Sequence, residues 1–157
     1  MKYHITTYGC QMNHSDSEKI SAILKKSGYR PARNESEADL IVVNSCSVRQ
    51  AAMHRVYDKI EKFYRGKKVI IAGCVLPDDK EKYQSKVEFW HPDDYFDHIP
   101  LAASQFRAYV PIMTGCNNFC SYCAVPYTRG REKSRPAAEI IKEIRSLVKK
   151  GYKEIIL

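Results

Sequence analysis

Two short runs, Leu40-Ile41-Val42-Val43 and Val69-Ile70-Ile71-Ala72, are apolar at every position rather than at every second one. A strand of that kind must bury both faces, and strands buried on both faces belong to parallel sheets with helices packed on either side. Between the two runs, Val48, Ala52, Val56, Ile60 and Phe63 recur near the 3.6-residue period of a helix. Upstream, Lys2 to Tyr8 reads as a strand. Ser15-Asp16-Ser17-Glu18 reads as a capping box that opens a helix carrying Ile20, Ile23 and Leu24, with Gly28 as its stop. The expected architecture is α/β, a doubly wound parallel sheet with right-handed crossovers.

Downstream the pattern weakens. Asp78 to Pro100 is rich in Lys, Asp and Tyr, and only Val87-Glu88-Phe89-Trp90 suggests a strand, so the stretch reads as the end of a first domain and a linker. Tyr109 to Met113 then reads as a new strand. Pro136 suits the first turn of a helix whose stripe is Ala137, Ile140, Ile141, Ile144, Leu147 and Val148, ending at Gly151. Lys153 to Leu157 begins another strand. The expected organisation is a first domain over 1–100 and, over 101–157, the opening βαβ unit of a larger parallel sheet or barrel, incomplete as it stands.

Six cysteines are placed on this scaffold, three of them as C-x3-C-x2-C at Cys116, Cys120 and Cys123. One loop with thiols at that spacing suits a corner of an iron–sulfur cube, since thiolate is the soft ligand such clusters take. Three local ligands leave a fourth iron open to a small molecule. Structural zinc fits less well, because the nearest histidines, His91 and His98, lie well upstream. Cys10, Cys46 and Cys74 each follow one of the first three predicted strands. In a parallel sheet the loops leaving those strands share one edge, the edge at which open α/β sheets bind ligands. A second three-cysteine cluster site is therefore expected there, against the alternative that these are small buried hydrophobes.

Charge and hydropathy narrow the setting. Lys and Arg number 26 against 18 Asp and Glu, a surplus that draws the protein toward phosphate backbones. No apolar run approaches the roughly 20 residues of a membrane span. The N-terminus MKYHITTYGC lacks the apolar core of a secretory signal, so disulfides are not expected and a reduced, cytoplasmic protein is.

The C-x3-C-x2-C loop, with Tyr122 just before its last cysteine, resembles the signature of radical S-adenosylmethionine enzymes. The wider strings TGCNNFCSYCAVPYTRGREKSRP, TYGCQMN and VNSCSVR resemble the radical methylthiotransferases. TYGCQMN is most similar to the branch acting on N6-isopentenyladenosine in tRNA rather than on threonylcarbamoyladenosine or a ribosomal protein. The resemblance implies a flavodoxin-like first domain followed by the start of a partial TIM-like radical-SAM barrel. It implies two 4Fe-4S clusters, one on Cys116, Cys120 and Cys123 and one on Cys10, Cys46 and Cys74. S-adenosylmethionine would be cleaved at the first, with Tyr122 near its adenine, and the second would carry the sulfur. The implied reaction replaces C–H by C–S–CH3 at C2 of the adenine beside the anticodon, with tRNA and an external electron donor as partners and no membrane.

Three further arginines, Arg129, Arg131 and Arg135, bracket the loop after the cysteines. They suit phosphates or the S-adenosylmethionine carboxylate, or else solubility and helix-end electrostatics. Tyr127 suits base stacking or core packing, and His14 and His54 read as ordinary surface or packing residues. Departures from the resemblance are specific. Only 41 residues separate Cys74 from Cys116, and Leu76-Pro77-Asp78 replaces the usual AQ-type sequence, so a first domain trimmed near its last strands is expected. A truncated, inactive form follows as an expectation. The rivals are a non-catalytic iron–sulfur module delivering sulfur or electrons, and a zinc-stabilised basic RNA-binding protein.

Overall fold

A computed structural model describes residues 1–46, 50–98, 100 and 104–157, with the side chains of residues 50 and 51 not described. Its first part is built on β1 (Lys2–Tyr8), α1 (Gln11–Lys26), β2 (Arg30–Pro31), β3 (Leu40–Cys46), α2 (Gln50–Phe63), β4 (Lys68–Cys74), α3 (Pro77–Tyr83) and β5 (Glu88–Phe89). The five strands form one parallel sheet in the order β2-β1-β3-β4-β5. This is the flavodoxin-like winding, whose chain direction reverses between β1 and β3.

The two apolar runs explain the layering. Ile41, Val43, Val69 and Ile71 face one core with Met53, Val56, Ile60 and Phe63 of α2 and Tyr83 of α3. Leu40, Val42, Ile70 and Ala72 face the other, with Tyr3, Ile20 and Leu24 of β1 and α1 and with Tyr95. Each such aliphatic side chain taken fully out of water contributes about 1.5–3 kcal/mol, which is why the strand interior tolerates no polar position on either face before Asn44.

The helix α1 starts earlier than its sequence signal. Cys10, extended at φ −92°, is the cap, and Asn13 accepts its N–H, so Ser15 to Glu18 lie one turn inside the helix. Tertiary contact to β3 decides this boundary, as the next subsection describes. Gly28 at φ +85° ends the helix as expected. Val48 falls outside the described residues, while the rest of the predicted second helix is α2.

The stretch read as the end of the first domain and a linker contributes to the first sheet and its core. It supplies β5, the short 3-10 turn Pro92–Asp94, and Tyr95, which is wholly buried and accepts a hydrogen bond from the Gly73 N–H at 3.1 Å. Its polar composition hid a structure whose burial rests on a few aromatic positions.

The second part contains β6 (Arg107–Tyr109), β7 (Met113–Thr114), α4 (Val125–Arg129), β8 (Lys133–Ser134), α5 (Ala137–Lys149) and β9 (Glu154–Ile156). β6 and β9 are parallel neighbours joined through α5, the expected βαβ unit. The strand predicted over Tyr109 to Met113 is displaced: β6 ends at Tyr109, Pro111 offers no donor, and Met113–Thr114 pairs antiparallel with β8 to frame the cysteine loop. Among the described residues no helix is long and apolar enough to cross a membrane.

Candidate metal centres

The sheet places Cys46 and Cys74 as direct partners, the last residues of adjacent parallel strands. Both are buried. Cys10 stands at the cap of α1, two residues past the end of β1 and exposed, beside the point where the winding reverses. Cys46 and Cys74 thus meet at the C-terminal edge of the sheet, and Cys10 follows the end of β1 on the neighbouring strand.

A lattice of amides holds that edge. Asn13 Nδ2 donates to Asn44 Oδ1 and to the Ser45 carbonyl, each at 2.9 Å. Asn44 Nδ2 returns hydrogen bonds to the Asn13 carbonyl at 2.7 Å and to Ser17 Oγ at 2.9 Å. Both asparagines are fully buried, and all of these bonds but the one to Ser17 are made away from water. Gly73 fits against this lattice at φ +88°, where a Cβ would lie 2.4 Å from Asn44 Oδ1 and from the Ser45 carbonyl. Only glycine serves there, and the strand can then bring Cys74 level with Cys46.

Arg129, the last residue of α4, reaches into the same edge. Its Nε donates to Cys74 Sγ at 3.0 Å and a terminal nitrogen donates to Asp16 Oδ2 at 2.6 Å. Burial works against the guanidinium charge, but Asp16 and then the Cys74 sulfur more than offset it and hold Arg129 protonated, above the ordinary arginine range. Burial pushes the Cys74 thiol up, with Arg129 opposing.

The other triad is local and open. Cys116 and Cys123 are half-buried and Cys120 is exposed. The Cys123 N–H donates to the Cys120 carbonyl, the Cys116 N–H to the Gly130 carbonyl, and Asn118 Nδ2 to Cys116 Sγ at 3.5 Å. Phe119 takes a left-handed φ of 48°, which turns the chain between the first two cysteines. Gly115, at φ +74°, lies against the carbonyl oxygens of Gly130 and Arg131, so the loop closes on its own return strand.

Among the described residues no three His, Cys, Asp or Glu side chains are already closed into a metal-binding group, and all six cysteines are free. The donor chemistry nevertheless fits an iron–sulfur group: each triad offers sulfur alone, and each has a sulfur receiving a hydrogen bond from nitrogen, Cys74 from a cation and Cys116 from an amide.

The three arginines separate. Arg129 is buried against Asp16 and Cys74 in the last turn of α4, a position that suits helix-end electrostatics and neither phosphate pairing nor surface solubility. Arg135 is engaged by Glu143 and the Pro111 carbonyl. Arg131 lies over the Phe119 ring, 4.2 Å from its centroid. Tyr127 is 59 % exposed, its ring edge-on to Phe119, which removes the core-packing reading. Tyr122 is 90 % exposed. His14 and His54 are both on the surface.

A cleft of about 480 Å³ runs from Cys10 and Ser15 to Tyr109, Pro111 and Ile156. It joins the cysteine edge of the first sheet to the strand ends of the βαβ unit. A larger cleft, about 700 Å³, lies along β1 and α1 and is lined by none of the cysteines.

Sequence reasoning missed Asn13, Asn44, Asp16 and Tyr95. The two asparagines were visible inside TYGCQMN and VNSCSVR, the strings that carry Cys10 and Cys46, as polar residues beside positions that must be buried.

Comparison with known proteins agrees along the chain. Residues 2–91 match the uncharacterized protein family UPF0004, and residues 110–157 match the radical SAM superfamily. Among curated relatives, tRNA-2-methylthio-N(6)-dimethylallyladenosine synthase of Thermotoga petrophila is 36 % identical over 99 % of this chain and 43 % of the relative. The proteins of the same name from Fervidobacterium nodosum and Syntrophomonas wolfei are each 40 % identical, over 98 % and 100 % of this chain and 43 % and 44 % of theirs. The chain thus spans under half the length of these relatives. The Thermotoga match runs over 189 positions against 157 residues here, so the relative carries internal segments that this chain lacks.

Proposed function

Since the chain belongs to the uncharacterized protein family UPF0004, with a radical SAM match following it, we propose that it is the N-terminal part of a radical tRNA methylthiotransferase. The reaction is addition of a methylthio group to C2 of N6-isopentenyladenosine beside the anticodon. Its site of action is the cytoplasm, and an external donor supplies electrons.

Cys116, Cys120 and Cys123 would hold one four-iron cluster, which would supply the electron for cleavage of S-adenosylmethionine. Cys10, Cys46 and Cys74 hold a second. The chain's own residues do the positioning. Asn13, Asn44 and Gly73 set the height of the buried sulfur pair. Asn118 steadies Cys116, and Tyr122 offers an exposed ring to an adenine. The net positive charge of 8 favours tRNA phosphates over long range.

The observation that carries the reading is the docking of Arg129, six residues past Cys123, on Cys74. Two separate cysteine triads joined by one residue suit chemistry that uses two clusters on one substrate.

The test is iron, acid-labile sulfide and zinc per chain after anaerobic reconstitution, followed by reduction with S-adenosylmethionine and assay for 5′-deoxyadenosine. About eight irons with matching sulfide is the expected result. Zinc in place of iron overturns the reading. Iron without 5′-deoxyadenosine when the assay is run on the full-length protein supports a sulfur- or electron-delivery module instead.

A further inference from the structure

Arg129 and Gly130 together touch both triads. The Arg129 side chain donates to Cys74 Sγ at 3.0 Å, and the neighbouring Gly130 carbonyl accepts the Cys116 N–H at 3.2 Å. The arginine is 6 % exposed and its partner Asp16 only 2 %, so the contact is made out of water. Asp16 lies on α1, six residues past Cys10, and Cys74 ends β4. One guanidinium thus ties the two arms of the first triad to the segment carrying the second.

We infer that Arg129 is a positioning residue that tunes the cluster held by Cys10, Cys46 and Cys74, making the properties of that site depend on a residue supplied by the segment after the C-x3-C-x2-C loop. The inference rests on the reading of those three cysteines as cluster ligands. Its physical content is electrostatic. A guanidinium fixed by a carboxylate and donating to a ligand sulfur favours the more electron-rich form of the group that the sulfur binds. Asp16 serves as the clamp: it neutralises the buried cation and fixes the fork, so that Nε rather than a terminal nitrogen faces the sulfur. The inventory of charge also fits. Arg129 and Asp16 pair, with the Lys19 ammonium acting on Asp16 as well, so a thiolate at Cys74 meets a positive surrounding and arrives where the donor already points.

The experiment uses the protein with Cys116, Cys120 and Cys123 replaced by Ala, so that one cluster site remains, and titrates that cluster with dithionite under electron paramagnetic resonance. Arg129→Met alone leaves a buried carboxylate unpaired. The informative variants are therefore the double change D16N/R129M, which removes both charges together, and R129K, which keeps the charge but not the fork. The expected result is a shift to lower reduction potential in the double variant and a smaller shift in R129K. Urea unfolding of each variant reports on fold separately.

An unchanged potential in both variants, with the cluster present, overturns this inference and leaves the cluster-site reading intact. Absence of any iron–sulfur cluster in the parent triple variant overturns both.

Discussion

The two cysteine triads present the same sulfur donors by opposite routes. Cys116, Cys120 and Cys123 sit within eight residues on an exposed loop, held by its own turns and by the hairpin of β7 and β8. Cys10, Cys46 and Cys74 come from three crossovers of a sheet and are held by buried amides and a buried ion pair. The first is a property of a loop, the second of a fold. Damage to the scaffold should therefore cost the gathered triad far more than the local one.

The largest expected effect is on metal content. Replacing Cys10, Cys46 and Cys74 by Ala should leave about four irons per chain, all at the local site, and replacing the other three should leave about four at the sheet edge. Loss of all iron in either variant, measured by metal analysis, would break the independence of the two sites.

Next in size is Arg129→Met in the metal-free protein. It strands Asp16 in the interior and should cost about 3–5 kcal/mol of folding stability in urea unfolding. The neutral pair D16N/R129M should recover most of that loss.

Changing Asn44 to Ala leaves Asn13 Nδ2 and the Asn13 carbonyl short of partners and should cost about 1–3 kcal/mol, with iron lost from the gathered triad. The matching change at the other site, Asn118→Ala, removes an exposed contact and should alter stability by under about 0.5 kcal/mol. Equal effects from the two asparagine variants would erase the contrast.

A pH dependence sharpens it further. Lys19 donates to the Phe96 carbonyl at 2.6 Å, and burial lowers its ammonium to about 8, with Asp16, Glu143 and Asp97 pulling it up and Arg135 pushing it down. The unfolded chain keeps this proton up to about 10.5. Between those values the unfolded state binds more protons, so stability from this group rises with pH across that window and is flat below it. Thermal unfolding at pH 7 to 10 should show the rise, and Lys19→Met should remove it.

Much of this contrast was legible in the sequence, unevenly. Leu40 to Val43 and Val69 to Ala72 announced two-faced strands, and their order placed Cys46 and Cys74 on one edge. The local triad was readable from spacing alone. The α1 start was not, because Ser15 to Glu18 form a good local cap, whereas the observed start at Cys10 depends on Asn13 reaching Asn44, 31 residues away. Arg129 was read as a surface or phosphate-facing residue because nothing local marks an arginine whose acceptors lie 55 and 113 residues upstream. Tyr95 was hidden in a polar stretch for the same reason: its partner is Gly73, and proximity of that kind exists only after folding.

The level pairing of Cys46 with Cys74 has a consequence for how such a chain tolerates changes in length. A residue added inside β3 or β4 would turn the terminal cysteine to the opposite face of the sheet. Tens of residues gained or lost in a connection would leave the sulfur pair where it is. The strand ends act as fixed points under insertion and deletion, so a chain built this way can change the length of its connections without moving the two sulfurs apart.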